Sequence, residues 1–407
     1  MVKLEGYGME TETMKKMIGI ADVAVVKEKA YISNRFYNSF IIYNIKKDTV
    51  EQVKRFVHMD AGSFAYHMGC VVHNGIVYFY PANGYGVHAY DIERGHQKYY
   101  DLGFCHVDYS HVLEDKMILF PWYSEQGLIT IDLKKETIQT NLGWWDASSI
   151  LGDAKSNSLH SGEYNKNQVW SHCTKTNYLL LSDCYSRKIE KHLIDVDGKI
   201  LWGSQYDGKD FWFTEVDKAV IYQWNIEKGL RNKFKFELTA WEETGETSPY
   251  RKVVCVREHV FVVPYNENAL FILNKETEKL EKLSEFPEEI VYPRTNDWYI
   301  FEKQEDNQLY LFCDLTNLII HVDLDTLDVK YRNTFIKDSI AYDRYTEQIW
   351  KSIFEEIDNK GWISENEHDW KTYLPDFLKF DDEIGIHEKI SCEENIGNKI
   401  YQEVMAE

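Results

Sequence analysis

Histidine and arginine side chains recur at similar points along the chain, each just before or inside a short apolar run. They fall at Tyr66-His67, at His106 through His111, at Leu159-His160, at Tyr250-Arg251 and at Pro293-Arg294. Two kinds of chemistry suit such a set. A histidine titrates at about 6.5, so His67, His106 and His160 are candidates for moving a proton at neutral pH. Arg251 and Arg294 carry planar, permanently charged forks that clamp a carboxylate or phosphate through charge-assisted hydrogen bonds. Tyr66 and Tyr109 stand beside them as binding candidates. The alternative is that these residues bond neighbouring structural units together or face solvent.

Aromatic residues make a second constellation. Trp144 and Trp145 lie in NLGWWDASSILGDAKSNS, the longest stretch that breaks the repeat described below. Together with Trp122-Tyr123 they could form a stacking platform for a sugar, or they could pack into the core. Long loops on rigid scaffolds often carry function. His106, Asp108 and His111 are metal-ligand types, but on a strand residues 106 and 108 share one face and 111 the other. No metal site is expected there. The chain has no Walker loop, dinucleotide glycine fingerprint, H-E-x-x-H or G-x-S-x-G motif, and nothing in it requires a cofactor.

Positioning these residues is the task of a tandem repeat. An apolar strand ends in Asp or Asn, a turn follows, and another strand begins, as in YNIKKDTVEQV, YDIERGHQKYY and VDLDTLDVKYR. The anchors are Asn44, Asp91, Asp132, Asp183, Asn225, Asn274 and Asp323, spaced by 47, 41, 51, 42, 49 and 49 residues. An Asp or Asn side chain accepts hydrogen bonds from backbone N–H groups a little further on and so closes a tight turn. Upstream of each anchor is an aromatic and β-branched strand, such as KAYISN, IVYFYP or LYLFCD. Further upstream lies an innermost strand, such as DVAVVKE or GCVVHNG. About four short strands per unit is the size of one propeller blade.

The signature resembles the D-L-x-T-G-K-type turn of YVTN, NHL and quinoprotein-like propeller repeats, from roughly Ile18 to Phe335. The resemblance implies a fold only, since members of those groups share no single activity. The fold class expected is all-β: a seven-bladed β-propeller over residues 1–336 with a C-terminal helical extension over 337–407. Each unit carries its own four strands, so a shared closing strand is not expected. In the extension, Tyr342, Tyr345, Ile349, Ile353, Phe354 and Ile357 recur at helical spacing. Ser364 to Glu367 and Ser391 to Glu394 match capping boxes.

Composition bounds the partners. The chain of 407 residues carries a net charge of −21, and residues 341–407 hold 17 acidic and 7 basic side chains, a net −10. Such a surface repels phosphate backbones and anionic lipid headgroups, so neither nucleic acid nor a membrane surface is an expected partner. The 7 cysteines are odd in number and form no C-x-x-C pair. That argues against a disulfide framework and for a cytoplasmic location. The expected function is a binding or scaffold propeller that recognises a protein or glycan through one face. The alternative is a lyase or hydrolase acting on a small anionic or sugar-like substrate in the central channel.

Overall fold

The computed structural model describes residues 20–34, 39–56, 67–82, 84–123, 127–141, 144–152, 158–174, 176–198, 201–215, 218–235, 250–264, 269–287, 300–313, 318–333 and 388–391. Within them the repeat becomes seven antiparallel sheets of consecutive strands. Blade 1 holds β1 (Ile20–Val26), β2 (Lys29–Asn34), β3 (Ser39–Asn44) and β4 (Thr49–Arg55). Blade 2 holds β5 (His67–His73), β6 (Ile76–Pro81), β7 (Gly84–Asp91) and β8 (Gln97–Cys105). Blade 3 holds β9 (Val107–Leu113), β10 (Lys116–Pro121), β11 (Leu128–Asp132) and β12 (Thr137–Asn141). A short helix, α1 (Ala147–Leu151), precedes blade 4, which holds β13 (Leu159–Asn165), β14 (Gln168–Cys173), β15 (Tyr178–Asp183) and β16 (Lys188–Leu193). Blade 5 holds β17 (Leu201–Tyr206), β18 (Phe211–Glu215), β19 (Val220–Asn225) and β20 (Gly229–Lys235). Blade 6 holds β21 (Tyr250–Val256), β22 (His259–Pro264), β23 (Ala269–Asn274) and β24 (Leu280–Glu285). Blade 7 holds β25 (Ile300–Glu305), β26 (Gln308–Cys313), β27 (Leu318–Asp323) and β28 (Val329–Asn333).

The first strand of every blade touches the first strand of the next, in the cycle β1, β5, β9, β13, β17, β21, β25 and back to β1. The chain is therefore a closed seven-bladed β-propeller. Among the described residues no strand is shared across the closure. Instead, Tyr43, Ile41 and Ile32 of blade 1 pack against Phe312 and Ile319 of blade 7. Equivalent apolar clusters join blades 1 and 2 through Phe40, Phe56 and Phe79, and blades 3 and 4 through Phe120, Trp145 and Leu180.

Burial follows the radial position. Second strands are sandwiched between neighbouring blades, so they are buried along nearly their whole length: Phe211–Glu215 is buried throughout, its terminal Thr214 and Glu215 included. Outer strands such as Lys188–Leu193 (KIEKHL) are mostly exposed and alternate charge, which guards an edge against stray pairing.

The anchors do what their chemistry predicts. Each accepts a backbone N–H two or three residues on, from Lys47 to Asn44 at 2.9 Å through Asp325 and Thr326 to Asp323 at 3.0 Å. The residue four places after every anchor has positive φ: Asp48, Gly95, Glu136, Arg187, Gly229, Glu278 and Leu327. A turn followed by a left-handed residue matches the twist of a hairpin. Only Gly95 and Gly229 adopt that conformation without a side-chain penalty.

Most of the expected helical extension lies outside the described residues. The part that is described is extended: β29 (Glu388–Ser391) pairs in parallel with Lys98–Asp101 of β8 and makes blade 2 five-stranded. Among the described residues no helix is long and apolar enough to cross a membrane.

Candidate functional site

Antiparallel order sorts the loops by face. Loops leading into the inner strands and loops joining second to third strands share one face of the ring; the anchor hairpins occupy the other. His106, just before β9, and Trp122-Tyr123, just after β10, therefore meet on the lead-in face. The backbone fixes them. Trp122 N–H donates to the His106 carbonyl at 3.0 Å, and Leu159 N–H donates to the Trp122 carbonyl at 2.7 Å. A bridge between Tyr123 and Ser158 completes the seam between blades 3 and 4.

The side chains converge there. The His106 ring lies 5.6 Å from Trp122 and 5.3 Å from Tyr123, and Trp122 meets the His160 ring edge-on at 5.4 Å. Asp108 completes the group, its Oδ1 3.9 Å from His160 Nδ1. Its other oxygen accepts the Ser161 N–H at 2.7 Å, so a blade-3 side chain caps an inner-strand amide of blade 4. The same device recurs on alternate blades: Asp22 accepts Cys70 N–H at 2.8 Å, and Gln205 accepts Cys255 N–H at 2.5 Å. These amides would otherwise lie unpaired on the channel edge of a sheet.

Electrostatics separates the groups. Burial pushes the Asp108 carboxyl up to about 8, against the opposing pull of the Ser161 hydrogen bonds. Burial pulls His106 down to about 4. His160 falls to about 4, through burial and then the Lys252 charge. At neutral pH the cluster thus presents one protonated acid and two neutral imidazoles. Asp108 can donate a proton or a hydrogen bond, and the imidazoles can accept one. Trp122, Tyr123, His106 and His160 all remain partly exposed, so a ligand can reach them.

Other candidates sit elsewhere. His67 is buried at 1% exposure; its Nε2 lies 3.0 Å from His88 Nδ1, and Phe56 packs on both rings. Its surroundings are those of a core residue. A bulge at the start of blade 2 accompanies this, the β5–β6 register shifting between His67 and Gly69. Trp145 is 3% exposed, edge-on to Phe120 at 5.3 Å, and Trp144 leans against it at 6.4 Å. Helix α1, capped by Asp146, folds this segment down into the core between blades 3 and 4 instead of raising a platform. Tyr109 packs into the same core, 6.5 Å from Phe120. His111 is buried beside the Lys166 carbonyl at 2.9 Å. Tyr66 and Arg294 lie outside the described residues, as does the side chain of Arg251, whose backbone is in β21. No cluster of three or more His, Cys, Asp or Glu suited to a metal occurs among the described residues.

The upward shift of Asp108 was not evident from sequence. The signal available was the recurrence of Asp early in an inner strand, at Asp22 and Asp108.

No protein-family profile matches the chain, and no curated protein does either. Solved structures do. A streptogramin B lyase superposes with a TM-score of 0.52 at 11% identity, covering 75% of this chain and 93% of the lyase. Virginiamycin B lyase from Staphylococcus aureus gives 0.52 at 12% identity, covering 73% and 93%. A catalytically inactive histidine-to-alanine form of that lyase, bound to quinupristin, gives 0.51 at 12% identity, covering 73% and 92%. At such identities the likeness establishes the ring fold and nothing about chemistry, and the chain is accordingly similar to seven-bladed propellers as a fold class.

Proposed function

We propose that this propeller is a binding protein whose lead-in face takes a sugar-like ligand at the seam of blades 3 and 4. The observation that carries the reading is Trp122, partly exposed and held between His106 and His160 with Tyr123 alongside. Aromatic faces beside a few fixed polar groups are what a carbohydrate needs: apolar C–H surface to stack on and donors or acceptors for its hydroxyls. Protonated Asp108 supplies a donor, and the neutral imidazoles supply acceptors. The test is tryptophan fluorescence of the full chain titrated with a panel of neutral and acidic oligosaccharides. Saturable quenching by a panel member, weakened tenfold or more in W122A, supports the reading; no response to any of them, or equal binding by W122A, overturns it.

A second reading is favoured by one observation, the opposed titration of Asp108 and His160. The same site then acts as acid and base in a lyase or hydrolase, with Asp108 donating to a leaving group and His160 accepting from the substrate. Activity in that case holds between about pH 4 and 8 and falls above it, and D108N abolishes it. Turnover unaffected by D108N and H160A excludes this reading.

A further inference from the structure

On the opposite face, where the β1–β2 turn meets the hairpin between β7 and β8, blades 1 and 2 border an open cavity of about 690 Å³. That volume is within the range of small-molecule sites. Its wall is apolar on one side, formed by Ile42, Ile92 and the rings of Tyr31 and Tyr90, whose centroids are 6.0 Å apart. The remainder is cationic. Lys27, Lys29, Lys54 and Arg94 line it against only Glu28 and Glu93, an excess of two positive charges in a chain of net charge −21.

These cations are not equivalent. Lys29 is spent on Glu51 at 2.9 Å, and Arg94 faces Asp91 at 3.8 Å. Glu28 is drawn outward to Lys46 at 3.0 Å. Lys54 has no carboxylate partner among the described residues. Its amine stands over the Tyr90 ring, 5.6 Å from the centroid, and burial lowers its pKa. A partly buried ammonium with no carboxylate beside it among the described residues is costly unless something else neutralises it. The strand that carries it, β4, could equally have held a neutral residue there.

We propose that this cavity is a binding site for a small organic anion, with a carboxylate or phosphate head on Lys54 and an apolar body against Tyr31, Tyr90, Ile42 and Ile92. Lys27, exposed at the rim and also without a carboxylate partner among the described residues, draws the anion in. The site is separate from the one on the lead-in face, and each stands or falls without the other.

Calorimetric titration of the full chain with benzoate, phenyl phosphate and inorganic phosphate tests this. Saturable binding of benzoate or phenyl phosphate is expected, and which of them binds tighter identifies the head group. Inorganic phosphate, which lacks the apolar body, should bind at least tenfold more weakly. K54M keeps the stem and removes the charge, and should weaken binding tenfold or more. K134M, on the exposed hairpin of blade 3 on the same face, and W122A should leave it unchanged. If K54M does not fold, I92D, which places a carboxylate in the wall, should weaken binding to a similar degree. The proposal is overturned if neither aryl anion binds the wild-type chain, or if K54M and I92D, folded as judged by circular dichroism, bind as the wild type does.

Discussion

Lys303 of the last blade and Asp22 of the first stand 3.4 Å apart across the closure of the ring. Burial works against the Lys303 charge, yet Asp22, with Cys70 and Glu302, offsets it and holds the amine above its ordinary pKa. Asp22 meanwhile caps the Cys70 amide, so one carboxylate ties blade 7, blade 1 and blade 2 together. Neutralising it strands the ammonium and weakens the cap on the amide, which then rests on a neutral acceptor.

D22N should therefore destabilise the ring by about 1–3 kcal/mol. Chemical denaturation measures it. The double variant D22N/K303M should recover part of the loss, because the stranded charge goes with the lysine. Equal stability of D22N and wild type would show that apolar packing alone holds the closure.

Stability against pH should report the cluster at blades 3 and 4. His106 and His160 are depressed to about 4, and His172, buried in β14, to about 3. A depressed histidine penalises the folded state as pH drops below its unfolded value of about 6.5. Asp108, raised to about 8, has the opposite sign: the folded state holds a proton that the unfolded state loses above about 4. From pH 4 to 6.5 the three histidines outweigh Asp108, and stability from these groups rises with pH. From 6.5 to 8 Asp108 acts alone and stability falls. D108N should flatten the second limb and steepen the first, since Asp108 no longer opposes the histidines there; a melting midpoint that falls equally in D108N above pH 6.5 assigns that limb to other groups.

Two tryptophans separate packing from recognition. W145A removes a side chain buried in the core and should cost about 3–5 kcal/mol. W122A removes a partly exposed ring and should cost about 1–2 kcal/mol. Ligand quenching should behave the other way round, lost in W122A and retained in W145A at temperatures where that variant is folded.

The anchor hairpins predict two small effects of opposite sign. Asp183 accepts N–H groups from Tyr185 and Ser186 at 3.0 and 2.6 Å, so D183A should lose about 1 kcal/mol. Arg187 is exposed with φ of 58°, so R187G relieves left-handed strain and should gain about 0.5–1 kcal/mol. Melting midpoints of the two variants, compared with wild type, check both directions.

The blades were legible in the sequence because their signal is local. An Asp or Asn that closes its own hairpin leaves the same mark seven times, whatever surrounds it. His106, His160 and Trp122 could be placed near each other for a related reason: antiparallel order alone brings lead-in loops and second-to-third loops to one face. Depth was not legible. His67 and Trp145 look like loop residues in sequence, yet both lie in the core, one beside a register shift and the other beside a capped helical turn. Lys54 reads as an ordinary outward lysine on an outer strand; only the approach of the next blade encloses it. The pairing of residues 388–391 with β8 was equally invisible, because a four-residue strand has no periodicity of its own.

That short parallel strand has a mechanical consequence. The described chain leaves blade 7 at Asn333 and pairs again on the outer edge of blade 2. A rupture between β25 and β1 would not release the two ends of the circle, which stay leashed through residues 334–387. Resealing becomes an encounter within one tethered chain, and its entropic cost grows only slowly with the length of the leash. A ring that shares no strand at its seam is thus fastened a second time, from outside, like a belt buckled one notch past the gap.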